Sequence, residues 1–262
     1  MRIIEHGCDA GIKLSKFKFN CDELDKSIPA PLPQNLNHFI MIVGKPGSSK
    51  TTLLMNMIGK RSKMYNKKFE KIYLFSPSLG TIEDSPFSDL PDDQVYDELS
   101  EAILQGVLDE IHDSGEKVLF IMDDVVNDMK KEMRLEKLLC KVLMNRRHQC
   151  GSGGSLSVWI TSQVYNKVPA PVRKCASHLV LYETKNRMEL DSIYNEVIVG
   201  MSKREWYQLI KYVWDKRFQF MFIDTTKPFN KMYHKNFNPL EITTEQDDAL
   251  HDLKLPGVTS SS

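Results

Sequence analysis

Short apolar runs recur along the chain and alternate with longer amphipathic stretches. The apolar runs have strand character and cover residues 38–43, 71–76, 117–122, 156–161, 178–182 and 218–223. Between them, apolar residues recur at helical spacing over about 93–113, 130–148, 187–197 and 202–214. Because strands that alternate with helices of this length are joined by right-handed crossovers, the pattern predicts an α/β fold with a mostly parallel central sheet covered on both faces.

One large domain accounts for most of the chain. The chain has 262 residues, and an α/β domain can reach about 250 residues as a single unit. We expect this domain to span residues 36–225. Residues 1–35 are predicted to form an N-terminal arm and a stiff linker that contains Pro29, Pro31 and Pro33. Residues 226–262 are predicted to be a C-terminal extension that is partly disordered, because the tail is acidic and ends in Thr-Ser-Ser-Ser.

The composition is that of an ordinary globular protein. Hydrophobic residues make up 41% of the chain and charged residues 27%, which excludes the collagen, coiled-coil and disordered classes. The apolar runs are far shorter than the ~20 residues that cross a bilayer, and the N-terminus lacks a signal-peptide core. The cysteines lack the Cys-x-x-Cys spacing of zinc ribbons and redox pairs; they are Cys8, Cys21, Cys140, Cys150 and Cys175. We therefore expect free thiols and a soluble, intracellular protein with no membrane partner.

The charges are balanced in number but segregated along the chain. The 35 basic and 35 acidic residues give a formal net charge of zero. An acidic stretch, residues 83–116, contains twelve Asp and Glu and no Lys or Arg, whereas a basic stretch, residues 60–71, contains six Lys and Arg and one Glu. Charge runs are usually solvated faces, and we keep that interpretation for the acidic stretch. The basic stretch is better placed for a functional role.

Residues 44–51 read Gly-Lys-Pro-Gly-Ser-Ser-Lys-Thr and follow the phosphate-loop pattern G-x-x-x-x-G-K-[ST] except at the sixth position. They lie between a predicted strand and a predicted helix, as the motif requires. In such a loop, backbone N–H groups and the helix N-terminus surround a phosphate. Lys50 would reach the β- and γ-phosphates and Thr51 would bind Mg²⁺. The residues predicted to bind the nucleotide are Gly44, Lys45, Pro46, Gly47, Ser48, Ser49, Lys50, Thr51 and Thr52.

Ser49 is a departure from the phosphate-loop motif, which has Gly at this position. A side chain restricts the backbone where Gly is permissive, so the replacement puts nucleotide affinity in question. The alternative interpretation is a turn of small residues between a strand and a helix that binds no nucleotide.

Two carboxylates end the apolar run 117–122. Asp123 lies at the carboxyl end of this predicted strand, where it can hold Mg²⁺ and its hydration shell. Asp124 comes next and can orient or deprotonate an attacking water. The alternative is a pair of acids that cap the following helix. The phosphate loop upstream favours the catalytic interpretation.

The fourth apolar run also ends in polar residues, which are Thr161, Ser162 and Gln163. We predict that Gln163 senses the γ-phosphate from a strand inserted between the phosphate-loop strand and the metal strand. Arg146 and Arg147 end a basic helix and precede a Gly-rich loop. Two roles stay open for them: they complement the helix dipole, or they act as an arginine finger that stabilises transition-state charge on the γ-phosphate of a neighbouring subunit.

The order of these four motifs resembles the FtsK/HerA superfamily of P-loop ATPases, and specifically the poxvirus-type genome-packaging ATPases of large eukaryotic DNA viruses and virophages. The resemblance covers about residues 36–225 and includes Leu-Phe-Ser-Pro at 74–77 and Thr-Ser-Gln-x-Tyr at 161–165. It implies a three-layer P-loop NTPase in which the sensor strand separates the metal strand from the phosphate-loop strand.

The resemblance also implies an enzyme that hydrolyses ATP, with ATP and Mg²⁺ as its cofactors. By this resemblance Lys50 and Thr51 bind the nucleotide and the metal, Asp123 binds the metal, Asp124 polarises water and Gln163 is the sensor. The family often carries Glu at the position of Asp124, so the shorter Asp is a second departure. Such enzymes hydrolyse ATP at the subunit interfaces of a ring and package a viral genome into a preformed capsid.

The implied partners are double-stranded DNA held through its phosphates without sequence preference, further copies of this chain in a ring, and a capsid or portal-vertex protein. By resemblance the site of action is the host cytoplasm or viral factory, or the virion. The basic stretch is expected to lie towards DNA and the acidic stretch away from it. Three alternatives stay open: a helicase-like DNA motor of the same superfamily, a P-loop nucleotide kinase, and a nucleotide-dependent interaction switch without turnover.

Overall fold

The computed structural model describes residues 23–61, 63–78 and 86–243. The strands are β1 Phe39–Val43, β2 Lys71–Phe75, β3 Val95–Tyr96, β4 Lys117–Met122, β5 Ser155–Ser162, β6 His178–Tyr182, β7 Phe220–Asp224, β8 Tyr233–Lys235 and β9 Asn238–Pro239. The helices are α1 Lys50–Ile58, α2 Glu101–Ile111, α3 Val126–Lys131, α4 Met133–Asn145, α5 Ala170–Arg173, α6 Arg187–Val197 and α7 Lys203–Val213. The predicted alternation of strands and helices is confirmed.

Within the described ranges the strands form one sheet in the order β3-β2-β4-β5-β1-β6-β7-β8-β9. Neighbours from β3 through β6 pair in parallel, and β7, β8 and β9 continue the sheet in antiparallel pairing. Strand β5 lies between β4 and β1, so the sensor strand separates the metal strand from the phosphate-loop strand. The predicted α/β fold class and its strand order are therefore confirmed.

Helices cover both faces of this sheet. In β1, Ile40 and Ile42 pack on one face against apolar residues of α1, whereas Met41 points to the other face, where α2, α4, α6 and α7 pack. Every residue of β1 is buried, as expected for a strand in the middle of a parallel sheet. Burial of one such side chain contributes about 1.5 to 3 kcal/mol. The three layers fix the carboxyl ends of β1, β4 and β5 at one edge of the sheet.

Local capping explains where the observed helices differ from the predicted ones. The helix predicted over 93–113 begins only at Glu101, because the Ser100 side chain accepts a hydrogen bond from the N–H of Ile103 and caps the helix there. Residues 95 and 96 form the edge strand β3 instead. The stretch 130–148 divides into α3, α4 and a 3₁₀ turn at Arg146–His148. Helix α7 agrees with its prediction and starts with a capping box between Ser202 and Glu205.

The predicted domain boundaries need correction at both ends. Strands β8 and β9 belong to the central sheet, so the domain continues past 225 to Pro239. These strands are too short to give an alternating pattern. At the other end, Ile28 and Leu32 are buried, and Tyr65 Oη donates to the carbonyl of Pro33 at 3.0 Å. The described part of the linker therefore packs on the domain. The predictions for residues 1–22 and 244–262 lie outside the described residues.

The two charged stretches lie next to each other. Lys60 Nζ is 2.7 Å from an Asp89 carboxylate oxygen, and Lys71 Nζ is 3.1 Å from Glu110 and 3.2 Å from Glu116. Long lysine side chains therefore connect the basic stretch to the acidic stretch, and the orientation of the two stretches relative to DNA stays a prediction. Residues 83–85 of the acidic stretch lie outside the described ranges.

Cys140, Cys150 and Cys175 carry free thiols, as predicted, whereas Cys8 and Cys21 lie outside the described residues. Within the described ranges, each helix is too short or too polar to cross a bilayer.

Candidate active site

Except for the two arginines, the predicted functional residues meet where the central parallel strands end. The phosphate loop, residues 44–51, follows β1, and the N–H of Gly44 donates to the carbonyl of Ser162 at the end of β5 at 3.0 Å. Asp123 follows β4, and its N–H donates to the carbonyl of Phe75 at the end of β2 at 2.9 Å. The sheet therefore brings the loop, the acid pair and the sensor segment to one edge.

The phosphate loop takes a backbone shape that favours glycine at two positions. Gly47 and Ser49 have φ angles of 75° and 76°, in the left-handed region. Ser49 precedes the first residue of α1, and its side chain makes no capping hydrogen bond. A left-handed conformation costs a residue with a side chain about 1 to 2 kcal/mol. Ser49 thus occupies a glycine-like conformation without a compensating hydrogen bond from its hydroxyl.

Gly44 is required for a different reason, which is close packing. A Cβ atom at this position would lie 2.5 Å from Ser48 Oγ and 2.8 Å from Tyr182 Cβ. The hydroxyl of Tyr182 in turn donates to the carbonyl of Ser49 at 3.4 Å. Strand β6 therefore supports the phosphate loop from the side opposite the acids. Lys45, Pro46 and Gly47 form the exposed tip of the loop.

Lys50 turns its ammonium group into the loop. Its Nζ donates to the carbonyl of Gly44 at 2.5 Å and to that of Lys45 at 3.3 Å. Burial lowers the pKa of Lys50, and the charges of Asp124 and Asp123 oppose this shift. A partly desolvated cation of this kind interacts strongly with an anion, because water screens it less. Thr51 follows on the first turn of α1, and Thr52 beside it is exposed.

Thr161 links the two acids. Its Oγ1 donates to Asp123 Oδ1 at 2.6 Å and accepts a hydrogen bond from the N–H of Asp124 at 3.2 Å. Asp123 is buried, with Ser76 Oγ 3.4 Å from its second carboxylate oxygen. Burial raises the pKa of Asp123; the hydrogen bond from Thr161 opposes this shift and the charge of Asp124 adds to it.

Asp124 faces away from the buried acid towards the sensor. Its φ angle is 58°, in the left-handed region, and its side chain is exposed. Gln163 Nε2 donates to Asp124 Oδ2 at 2.6 Å. The structure thus gives the two neighbouring acids different environments: one is buried beside Thr161 and the other reaches the solvent beside Gln163.

The donor groups at this edge fit a magnesium nucleotide. Mg²⁺ is usually held by one or two protein oxygens together with phosphates and water, and Thr51 and Asp123 can supply a hydroxyl and a carboxylate. Among the described residues, no group of three or more His, Cys, Asp or Glu forms a closed metal site. Ser48 Oγ is buried in the loop and, within the described part of the chain, has no hydrogen-bond partner. A hydroxyl in this position, close to Lys50, can donate a hydrogen bond to a phosphate oxygen.

The two arginines lie at the opposite edge of the sheet. Arg146 Nε donates to the carbonyl of Asn37, just before β1, and its NH1 donates to the carbonyl of Leu143 at 2.6 Å. Burial lowers the pKa of Arg146. Arg147, on the same 3₁₀ turn, is exposed. The chain therefore brings neither arginine to its own phosphate loop, and action on a neighbouring subunit stays a prediction.

Solved structures with a similar fold are found among viral proteins. The genome-packaging NTPase B204 of Sulfolobus turreted icosahedral virus 2, in complex with AMP, matches with a TM-score of 0.52 and 16% identity over 79% of this chain and 100% of that chain. B204, the DNA-packaging ATPase of Sulfolobus turreted icosahedral virus, matches with a TM-score of 0.57 and 15% identity over 77% of this chain and 98% of that chain. The chain has the fold of the genome-packaging NTPase B204.

A third B204 structure, from virus 2 in complex with ATP-gammaS, has a TM-score of 0.51 and 16% identity over 79% of this chain and 100% of that chain. No protein-family model and no curated protein matches the chain. The B204 structures thus confirm the predicted fold.

Within this B204-like fold, one buried acid that the sequence analysis missed supports the sensor segment. Glu189 in α6 accepts hydrogen bonds from the N–H of Tyr165 at 2.5 Å and from Thr184 Oγ1 at 2.6 Å. Tyr165 is two residues beyond Gln163. The Glu189 side chain therefore ties the sensor segment to the loop that follows β6. An acid in an amphipathic helix gives no sequence signal of this role, because most such residues face solvent.

Proposed function

We propose that this chain is an ATP-driven motor that moves double-stranded DNA and packages a viral genome into a preformed capsid. The observation that carries the proposal is the meeting of Lys50, the pair Asp123 and Asp124, and Gln163 at one edge of a fold shared with B204. The structures of B204 in complex with AMP and with ATP-gammaS support ATP as the ligand. The same site also supports the more general assignment, which is an enzyme that hydrolyses ATP.

The phosphate loop would hold the triphosphate. The Lys50 ammonium would exchange the carbonyls of Gly44 and Lys45 for β- and γ-phosphate oxygens, and the N-terminus of α1 would add its positive end. Thr51 and Asp123 would hold Mg²⁺. The bound ion would neutralise phosphate charge and fix the phosphates in place.

Asp124 would act on the attacking water. Its exposed carboxylate can accept a proton from water as the water oxygen bonds to the γ-phosphorus and the bond to the bridging oxygen of ADP breaks. Gln163 holds the carboxylate of Asp124 at 2.6 Å. Contact of its amide with the γ-phosphate would tie the position of Asp124 to the presence of ATP.

Assembly into a ring would complete the site. A head-to-tail interface that closes by rotation would let Arg147 of one subunit reach the nucleotide of the next, where a guanidinium stabilises transition-state charge. Lys and Arg side chains on the ring would contact DNA phosphates without reading bases. A capsid or portal-vertex protein in the host cytoplasm or viral factory would be the docking partner.

The proposal is tested by ATP turnover of the assembled protein with and without double-stranded DNA. We expect DNA to stimulate hydrolysis, and we expect Lys50→Ala to abolish it. Lys203→Ala is the matched control, because Lys203 is an exposed lysine paired with Asp191 away from the site.

Three other results would each replace the proposal. Retained ATP binding without turnover would identify an interaction switch. Transfer of the γ-phosphate to a nucleoside or nucleotide would identify a kinase. DNA-stimulated turnover with strand separation and no capsid association would identify a helicase-like motor.

A further inference from the structure

The turn between α7 and β7, residues 214–219, lies at the same edge of the sheet as the phosphate loop. Phe220, the first residue of β7, pairs with Tyr182, the last residue of β6, and their ring centroids are 5.4 Å apart. The hydroxyl of Tyr182 donates to the carbonyl of Ser49 at 3.4 Å. The other end of the turn is tied to the same strand, because Trp214 Nε1 donates to the carbonyl of Leu181 at 3.0 Å. One strand, β6, therefore lies between the turn and the strand that leads into the phosphate loop.

Phe218 in this turn is an exposed aromatic side chain on a strained backbone. Its φ angle is 68°, a left-handed conformation that is rare for a bulky residue. Half of its surface, 50%, is exposed. The guanidinium carbon of Arg217 lies 4.5 Å from the centroid of the Phe218 ring. Backbone strain of this kind persists only where the surrounding structure fixes it, and it is concentrated at ligand sites.

The surrounding structure does fix this turn. Lys235 in β8 donates to Asp215 at 2.8 Å and to the carbonyl of Tyr212 at 3.0 Å. Asn236 pairs with Phe220 in both directions: its side chain accepts from the Phe220 N–H at 3.1 Å, and its own N–H donates to the Phe220 carbonyl at 2.8 Å. The strained conformation of Phe218 is thus held in place from both ends.

The strand order decides which part of a nucleotide would meet this turn. Asp123 and Asp124 follow β4 and Gln163 follows β5, all on one side of β1. The metal and the γ-phosphate belong on that side. A nucleoside that extends from the phosphate loop in the other direction would lie over β6 and β7, where the turn with Phe218 is found.

We propose that Phe218, backed by Arg217, is the stacking platform for the base of the nucleotide. The inference rests on one part of the proposed function, which is the binding of a nucleoside triphosphate at the phosphate loop. A base would stack on the ring face that Arg217 leaves uncovered, and the guanidinium on the other face would add a cation–π contribution. Stacking area is larger for purines, so the platform favours ATP and GTP over pyrimidine triphosphates.

The test compares two ligands that share their phosphates but not a base. Binding of ATP and of inorganic tripolyphosphate is measured by titration calorimetry in the presence of Mg²⁺. We expect Phe218→Ala to weaken ATP binding by roughly tenfold, as expected when one stacking ring is removed, and to leave tripolyphosphate binding unchanged. Phe218→Trp should restore ATP binding. Tyr207→Ala is the control, because Tyr207 is a partly exposed aromatic residue of α7 outside the turn.

Each other outcome has a distinct meaning. If the wild-type protein binds neither ligand, the proposed function fails and the platform fails with it. If the wild type binds both ligands and Phe218→Ala weakens both equally or neither, the platform is wrong while the proposed function stands. Should Phe218→Ala fold poorly by circular dichroism, Phe218→Leu keeps the side-chain bulk without the aromatic ring and should show the same selective loss of ATP binding.

Discussion

The hydroxyl of Thr161 donates a hydrogen bond of 2.6 Å to Oδ1 of Asp123. Thr161 Oγ1 in turn accepts a hydrogen bond from the N–H of Asp124 at 3.2 Å. One buried side chain therefore orients Asp123, the acid predicted to bind the metal, and contacts the backbone of the acid that follows it. The left-handed φ of 58° at Asp124 is maintained by this contact, since Asp124 gains a partner for its N–H in that conformation.

Replacement of Thr161 by Val should impair catalysis with little change in shape. The variant leaves Asp123 Oδ1 and the Asp124 N–H without their partner, and loss of such buried hydrogen bonds costs about 1 to 3 kcal/mol. We expect kcat for ATP hydrolysis to fall roughly ten- to a hundredfold, with a much smaller change in the KM for ATP. Steady-state kinetics measures both. Thr161→Ser keeps the hydroxyl and should retain most of the activity; equal losses in the two variants would contradict the assigned role.

Replacement of Ser49 by Gly should stabilise the phosphate loop. Glycine adopts the observed φ of 76° without strain, so the free energy of unfolding should rise by about 1 kcal/mol and ATP binding should tighten. Gly47→Ala is the matched control, and it should lower the free energy of unfolding. Its φ is 75°, and no atom lies within 4 Å of an added Cβ, so only backbone strain is introduced. Thermal unfolding of both variants tests the prediction, and a destabilised Ser49→Gly would contradict it.

Asp123 should make the protein without Mg²⁺ less stable as the pH rises. Burial raises the pKa of Asp123, so the folded protein binds this proton more tightly than the unfolded chain does. The resulting contribution to stability is complete below the ordinary carboxyl pKa and is lost as the pH rises through the raised value. We expect Asp123→Asn to melt at a higher temperature than the wild type near neutral pH in the presence of a chelator, although it hydrolyses no ATP.

Melting temperatures over a pH series measure this effect of Asp123. The advantage of Asp123→Asn should shrink as the pH is lowered towards the ordinary carboxyl pKa, because the wild-type side chain is then neutral too. If Asp123→Asn instead melts below the wild type at every pH, that result would contradict the prediction, because it would show that neighbouring groups stabilise the buried carboxylate by more than its burial costs.

Arg146 and Arg147 should separate into a structural and a functional residue. Loss of Arg146 leaves the carbonyls of Asn37 and Leu143 without their donor, so Arg146→Ala should lower the free energy of unfolding by about 1 to 3 kcal/mol. Arg147 is exposed, so Arg147→Ala should lower stability less than Arg146→Ala does, and it should reduce hydrolysis in the assembled protein. Mixed assemblies of Arg147→Ala and Asp124→Asn subunits should regain activity, because some interfaces then combine an intact arginine with an intact acid. Mixed assemblies no more active than either variant alone would rule out action between subunits.

The fold was largely predictable because its main strands are apolar on both sides. Strands such as β1 are buried at every residue, so they stand out as continuous apolar runs, and the loop and acids at their ends carry short motifs. The edge strand β3 and the strand β8 were missed. They have two and three residues, too few to show a period of two, and their positions follow from pairing with distant strands.

The meeting of the motif segments at one edge of the sheet was predictable, and the contacts around them were not. Lys50, Asp123 and Gln163 each follow the end of a predicted strand, whereas their roles stay predictions. The double hydrogen bond of Thr161 depends on β4 lying beside β5 in register, and the burial of Glu189 depends on α6 packing against the sensor segment. Such relationships between distant segments arise from tertiary packing, which a single sequence does not reveal.

The ion pairs of the basic stretch change how this surface would meet a polyanion. Lys60 and Asp89 are both well exposed, at 84% and 65% of their side-chain surface, so their contact is weak and easily exchanged. A phosphate that reached Lys60 would displace a carboxylate instead of a dissolved ion, and fewer counterions would be released on binding. Contacts of this kind form and break with small changes in free energy, which would suit the proposed DNA motor, because such a motor must release each phosphate before it binds the next.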